Sequence, residues 1–193
     1  MKAPAPDENP PNENPPNELA TARLRLRPMR GSDIARTVEV LGDLEVSRRL
    51  SRVPHPYTER DARAFLEILA RGRADGSIDH FAISLLRDPL ETQIGAIGVH
   101  DEGDGGTAEV GYWIAPEHWN RGIAREALAA VVRHAFRERS PPRTVLRSAV
   151  FATNPASARV LEACGFAQVG ETVQRSLATG RDEPSLLFEL RRA

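Results

Sequence analysis

Apolar positions along the chain repeat first with the period of a strand and then with that of a helix, and this order predicts the fold. In "ARLRLRPM", Leu24, Leu26 and Pro28 alternate with arginines, as in a strand with one buried face. Ser32 and Asp33 then offer a cap for a helix that turns Ile34, Val38 and Leu41 inward. Thr58-x-x-Asp61 is a capping-box start for a second helix, with Ala62, Phe65, Leu66 and Leu69 on one side and Gly72 at its end. Three strands follow, at His80–Leu86, Gln93–His100 and Thr107–Ala115. They are separated by Asp88-Pro89 and by the acidic, glycine-rich "DEGDGG", and read as an antiparallel meander. From Ile123 to Arg139 the apolar residues return to helical spacing until Pro141-Pro142. The strand "TVLRSAV", a short helix from Asn154-Pro155 closed by Gly165, and two strands hinged on Thr179-Gly180-Arg181 complete the order. The sum is an α/β (α+β) fold: a mixed, largely antiparallel twisted sheet of about seven strands flanked by about four helices.

The pattern begins only after Glu18. Residues 1–18 hold the repeat ENPPN ENPPN (Glu8–Asn17) and nothing able to build a core. Proline removes backbone donors and asparagine favours turns, so the expectation is a disordered tail ahead of one domain over residues 19–193. That length suffices for a real hydrophobic core.

Composition narrows the function classes. The net charge of −1 marks neither a nucleic-acid partner nor an acidic surface. Lys2 is the only lysine, an arginine bias for which genome composition is sufficient reason. Cys164 is the only cysteine, which rules out an intramolecular disulfide or a cysteine-built zinc site and fits a reducing compartment. No apolar run approaches the ~20 residues that span a bilayer, and no basic-then-apolar leader opens the chain. A cytoplasmic enzyme or binding domain is expected, with no membrane partner and no metal. Monomer and homodimer are both compatible with the sequence.

The chemistry concentrates in "EHWNRGIAREAL" (Glu117–Leu128), where a strand hands over to a helix through Gly122. A helix start exposes unpaired N–H groups and the positive end of its dipole, and binds phosphate where small residues allow approach. Gly122 and Ala124 supply smallness, while Arg121 and Arg125 add charge. The loop lacks the spacing of a Walker A, and no Rossmann glycine pattern follows the first strand. On these residues alone, a plain helix start and a phosphate cradle are both open.

Joined to its neighbours, the loop resembles a known family. "AEVGYWIAPEHWNRGIAREAL" followed by "NPASARVLEACGF" is similar to the GNAT acetyltransferase superfamily, and within it to the RimJ/RimL-like branch. That branch acetylates protein N-termini and includes enzymes for small amines. The family's acyl-CoA motif has the form [Q/R]-x-x-G-x-[G/A]; here Trp119-x-x-Gly122-x-Ala124 carries Trp at the first position, as is common in this branch. Asn154-x-x-Ser157-x-Arg159-x-Leu161-x-x-x-Gly165-Phe166 matches the other hallmark. With "ARLRLRPMRGSD" and "PYTERDARAFL", the resemblance covers about residues 20–190.

The resemblance implies direct transfer of acetyl from acetyl-CoA to a primary amine, with both substrates bound together. The amides of Trp119, Asn120, Arg121, Gly122, Ile123 and Ala124 would hold the pyrophosphate, with Arg121 and Arg125 reaching phosphates. Val110, Tyr112, Trp113 and Ile114 would line the pantetheine arm, and a bulge at Gly111 would aim an amide at the thioester. Asn154 would contact pantetheine. Glu109 would take the amine's proton, and a strand-end acid with no catalytic part is the other reading; Asp101, Glu102 and Asp104 could substitute for it or attract a cationic substrate. Ser157 would protonate the departing thiolate, or an ordered water would. The tyrosine that many relatives place four residues before the glycine of the G-F pair is Leu161 here.

Cys164, beside a helix-ending glycine, reads as packing rather than as a nucleophile. His80, His100 and His134 have no partners at triad spacing. The acceptor is expected to be a protein or peptide N-terminal α-amine, with an antibiotic, polyamine or other small amine as the alternative. Residues 37–56 and 174–183 are the expected acceptor regions. A non-catalytic acyl-CoA sensor shares the same loop.

Overall fold

The computed structural model describes residues 18–193. The repeat and the rest of the expected tail up to Asn17 lie outside the described residues. Eight strands, β1 (Leu19–Ala20), β2 (Leu24–Arg27), β3 (Ile78–Leu85), β4 (Gly95–Asp101), β5 (Thr107–Ile114), β6 (Val145–Phe151), β7 (Ala167–Arg175) and β8 (Asp182–Arg191), form one sheet in the order β1-β2-β3-β4-β5-β6-β8-β7. Five helices flank it: α1 (Ile34–Gly42), α2 (Leu44–Ser47), α3 (Glu59–Ala74), α4 (Ile123–Arg133) and α5 (Pro155–Ala163). Beyond the predicted elements are the two-residue β1 and the one-turn α2, both too short to show a period. Among the described residues no helix is long and apolar enough to cross a membrane.

Every neighbouring pair is antiparallel except β5 and β6, which run parallel and pair only at Thr107–Val145, Ala108–Leu146 and Glu109–Arg147. Beyond these contacts β5 continues with β4, and β6 with β8. The sheet therefore splits, and the outer half of β5 has no strand on that side.

Side chains along a strand alternate between faces, and β5 uses both. Val110 and Ile114 are buried in the main core beneath α4, together with Leu26, Phe81, Ile97, Leu128 and Val131. Glu109, Gly111 and Trp113 face the opposite side, where Ile34, Val40, Leu41, Val46, Tyr57 and Ala62 of the α1–α3 layer form a second cluster. Burying each large aliphatic side chain contributes about 1.5–3 kcal/mol, so both faces of β5 are anchored.

Four local expectations are corrected. Asp33 does not cap α1: its buried carboxylate takes two bonds from the Arg27 guanidinium, each 2.8 Å, and one from the Arg30 N–H at 2.7 Å. An arginine this deep needs the paired carboxylate, which outranks the cap. Gly72 does not end α3. It lies inside the helix, where a β-carbon would stand 2.4 Å from the Ile78 side chain, and the left-handed residue past the end is Gly76, with φ 75°. The helix from Ile123 turns π-helical at His134–Glu138. No bulge interrupts β5 at Gly111, where the β4–β5 register is continuous; the irregularity lies in the β7–β8 pair at Gln168/Gly170. The Thr58 capping box is formed as expected, its side chain accepting from the Asp61 N–H.

Candidate active site

The loop between β5 and α4 is pinned at its head. The Trp119 indole N–H donates to the Ile114 carbonyl at 2.6 Å, and the Arg49 guanidinium lies 5.2 Å over the ring. Asn120 and Gly122 both take left-handed backbone, φ 58° and 72°. From behind, Glu126 accepts from Thr21 Oγ1 at 2.5 Å and from Arg23 Nε at 2.6 Å, and Arg23 Nη1 donates to the Arg121 carbonyl at 3.1 Å. The Glu126 N–H bonds the Gly122 carbonyl at 3.1 Å. Among the described residues, no backbone N–H from Asn120 to Arg125 has a protein acceptor, and neither Arg121 nor Arg125 is ion-paired. A run of free donors at a helix start, framed by positive-φ residues, is the kind of backbone to which anions bind.

This loop is one wall of a cleft of about 510 Å³. The other walls are Tyr112–Ile114 of β5, Asn154, Ser157 and Val160 around α5, and Val46, Arg49 and Leu50. Tyr112, Trp113, Ile114, Trp119, Asn120, Arg121, Gly122, Ile123, Ala124, Arg125 and Asn154 all line it; Val110 does not. Its side chain, 1% exposed, points into the core, so it is a packing residue. Sequence reasoning missed Val46, Arg49 and Leu50, which come from a segment without periodicity, and gave Arg159 no role.

Ser157 stands at the α5 side of the cleft, where the Asn154 side chain accepts its N–H. Its Oγ lies 2.9 Å from the Tyr112 hydroxyl, and its carbonyl accepts from that hydroxyl at 3.1 Å. Burial raises the Tyr112 pKa to about 12, so the hydroxyl stays protonated. Leu161, by contrast, is fully buried in the main core.

A second cleft, about 380 Å³, lies on the opposite face of β5 beneath α1 and α3. Leu50, Tyr112 and Trp113 line both clefts, so the two meet there. Glu109 belongs to this second cleft. It is ion-paired with Arg52 and sits across from His100 on β4. His80 lies on the same floor, its pKa lowered to about 3 by burial and by His100; burial lowers that of His100 too. The structure thus joins Ser157 to Tyr112 and Glu109 to His100 and Arg52, with the two groups on opposite sides of one strand.

The substitutes for Glu109 are engaged elsewhere. Asp101 bonds Arg143 at 2.6 Å, Glu102 pairs with Arg147 at 3.3 Å, and none of Asp101, Glu102 and Asp104 lines either of the two clefts. Asp104 closes its own turn by accepting from the Thr107 and Gly106 N–H groups; the Thr107 side chain first, then these N–H groups, lower its carboxyl to about 2. Residues 37–56 do line the second cleft, through Thr37, Leu41 and Leu50–Pro54. The hairpin at 174–183 lines neither; it backs that wall, where the Leu177 N–H bonds the Ser51 carbonyl at 3.0 Å. Burial raises the Cys164 thiol pKa, and Cys164 lines neither cleft.

Comparison with known proteins gives the family. Residues 23–167 match the acetyltransferase (GNAT) domain family. The uncharacterized N-acetyltransferase p20 of Bacillus licheniformis is 26% identical over 173 residues, 89% of this chain and 94% of that protein. RimJ of Mycobacterium smegmatis, solved with CoA-disulfide, superposes with a TM-score of 0.72 at 21% identity, covering 87% of this chain and 81% of that one. Spermidine N-acetyltransferase of Vibrio cholerae, solved with CoA and spermine, gives 0.73 at 20% identity, covering 89% and 97%. The chain belongs to the acetyltransferase (GNAT) family and is an acetyl-CoA-dependent acyltransferase.

Proposed function

We propose that this protein acetylates the N-terminal α-amine of a protein or peptide, by direct transfer with acetyl-CoA and the acceptor bound at once. The observation that carries this reading is the pair of clefts meeting at Leu50, Tyr112 and Trp113, one walled by free N–H donors and the other holding a carboxylate. Acetyl-CoA supplies an activated acyl group. The donors from Asn120 to Arg125 fit its pyrophosphate, with Arg121 and Arg125 beside them. Asn154 and the Tyr112–Ile114 segment flank the arm. Glu109 receives the amine's proton, after which the nitrogen lone pair is free to attack. Ser157, hydrogen-bonded to the protonated Tyr112, gives a proton to the departing thiolate.

Charge in the second cleft favours a single amine over a polyamine. Its carboxylates are Glu109, held by Arg52, and Asp61, which accepts from the Thr58 N–H at 2.9 Å and from its hydroxyl at 2.5 Å. A polycation would find no unpartnered anion there.

The test is thiol release from acetyl-CoA with N-terminal peptides, aminoglycosides and polyamines, backed by E109Q and S157A. Peptide-dependent release that both variants lower, with acetyl-CoA binding intact, is the expected result. Unchanged turnover in both variants overturns the residue roles. Release with small amines alone moves the acceptor to that class, and binding without release makes the domain an acyl-CoA sensor.

A further inference from the structure

The second cleft has a built floor. On β4 and β5 the cross-strand pairs Ala96–Trp113, Gly98–Gly111 and His100–Glu109 follow one another. The central pair has no side chains: over Gly98 an added β-carbon would stand 2.7 Å from the His80 ring and 3.1 Å from that of His100, whereas one added at Gly111 would meet nothing within 4 Å. A hollow therefore lies over Gly111, with a carboxylate at one end of the floor and an indole at the other. Leu41, Val53, Tyr57, Phe65 and Ile68 close it from α1, α3 and the loop between them.

The polar groups in these walls are of a particular kind. Gln93 is 1% exposed; its Oε1 accepts from the Thr37 hydroxyl at 2.7 Å, while its Nε2 has no partner among the described residues. The buried His80 likewise has no partner for Nδ1. Buried donors without acceptors are rare in folded proteins, and a ligand atom that accepts from one recovers an unmade bond. A peptide N-terminus has a carbonyl oxygen beside the carbon that bears its amine. A polyamine has no acceptor oxygen at all. The charged groups left in the wall are already partnered, Arg52 with Glu109 and Asp61 with Thr58. Apart from Ser51 and His100 the rest is largely apolar, so a charged first side chain would be desolvated with little compensation.

We propose that the second cleft reads the acceptor's first residue, taking an α-amine whose own side chain is uncharged and apolar and binding its carbonyl through Gln93 Nε2. This rests on the peptide N-terminus reading and deepens it. Gln93 is a specificity-determining residue remote from the transferred group, and Gly111 leaves the space its ligand enters.

Wild-type protein and acetyl-CoA are assayed by thiol release with pentapeptides differing only in a first Leu, Met, Asp or Lys, alongside spermidine. Leu and Met peptides are expected to exceed Asp and Lys peptides by roughly tenfold or more in kcat/KM. Gln93→Leu should lower kcat/KM for the Leu peptide by roughly tenfold while leaving acetyl-CoA affinity unchanged. Gln93→Met, of similar length but with no donor, should do the same and serves if the leucine variant fails to fold. Equal use of all four peptides, preference for the charged ones, or full activity of both Gln93 variants overturns the proposal while leaving the peptide reading standing. Turnover of spermidine with no peptide turned over overturns both.

Discussion

The Tyr112 hydroxyl on β5 lies 2.9 Å from the Ser157 hydroxyl on α5, bridging the gap where β5 and β6 part. Tyr112 also bonds the Ser157 carbonyl, so the tyrosine fixes the serine in place and stays protonated beside it. If the pair supplies the thiolate's proton, Y112F and S157A should each lower kcat by about tenfold to a hundredfold and leave the KM for acetyl-CoA near its wild-type value. Groups acting as a unit are not additive, so the double variant should be no slower than the worse single one. Steady-state kinetics on the three proteins check this; additive losses would mean that the hydroxyls act separately.

Gly122 precedes α4 with φ 72°, and an added β-carbon would meet only Arg23 Nη2, at 3.6 Å. Space is available, so the penalty of Gly122→Ala is conformational, about 1 kcal/mol. The same substitution at Gly180, with φ 67° at the β7–β8 turn, has a similar backbone cost far from the cradle. Both variants should melt a few degrees lower. Only Gly122→Ala should also weaken CoA several-fold, because it moves the donors that face the phosphates. Melting curves with and without CoA separate the two effects.

Which parts of this were legible in the sequence follows from what each segment's neighbours demand. The β3–β4–β5 meander, α4 and the Thr58 capping box carry their signals locally, in alternation, helical spacing and a side chain three residues from its partner. Gly72 and Asp33 depart from their local signals because other residues decide their roles: Ile78 presses on the helix, and Arg27 needs a counter-ion. The loop from Trp119 to Ala124 carries a motif the sequence shows, whereas its free donors are visible only in three dimensions. Tyr112 was placed at the cofactor through its backbone, and no spacing rule connects its hydroxyl to a serine 45 residues later. Gln93 carried no signal, since its meaning lies in an amide left unpaired at a cleft wall.

Gly111 tests whether β5 separates two sites. Its β-carbon position opens into the second cleft, and an extended strand accepts a β-branched residue readily. Gly111→Val should therefore fold, bind CoA as tightly as wild type and lose activity through a rise in KM for the amine. Calorimetry for CoA and initial rates for the acceptor measure the two halves. A parallel loss of CoA affinity would show that the clefts are not independent.

Buried histidines set the response to acid. His80 is held at about 3 by burial and by His100, and burial also lowers His100 and His134. In the unfolded chain each titrates near 6.5. As pH falls through that value the unfolded chain binds protons that the folded chain refuses, so stability is fullest above about pH 6.5 and declines below it. A histidine such as His80 contributes a slope of about 1.4 kcal/mol per pH unit, continuing toward pH 3. Urea midpoints should therefore fall between pH 7 and pH 5, before most carboxylates titrate. His80→Leu keeps an apolar partner for Phe65, whose ring meets His80 edge-on at 5.2 Å, and removes one titrating group. Its unfolding free energy, measured by urea at pH 5, 6 and 7, should decline less steeply than wild type by close to one proton. An unchanged slope would mean that His80 takes up its proton in the folded state as well.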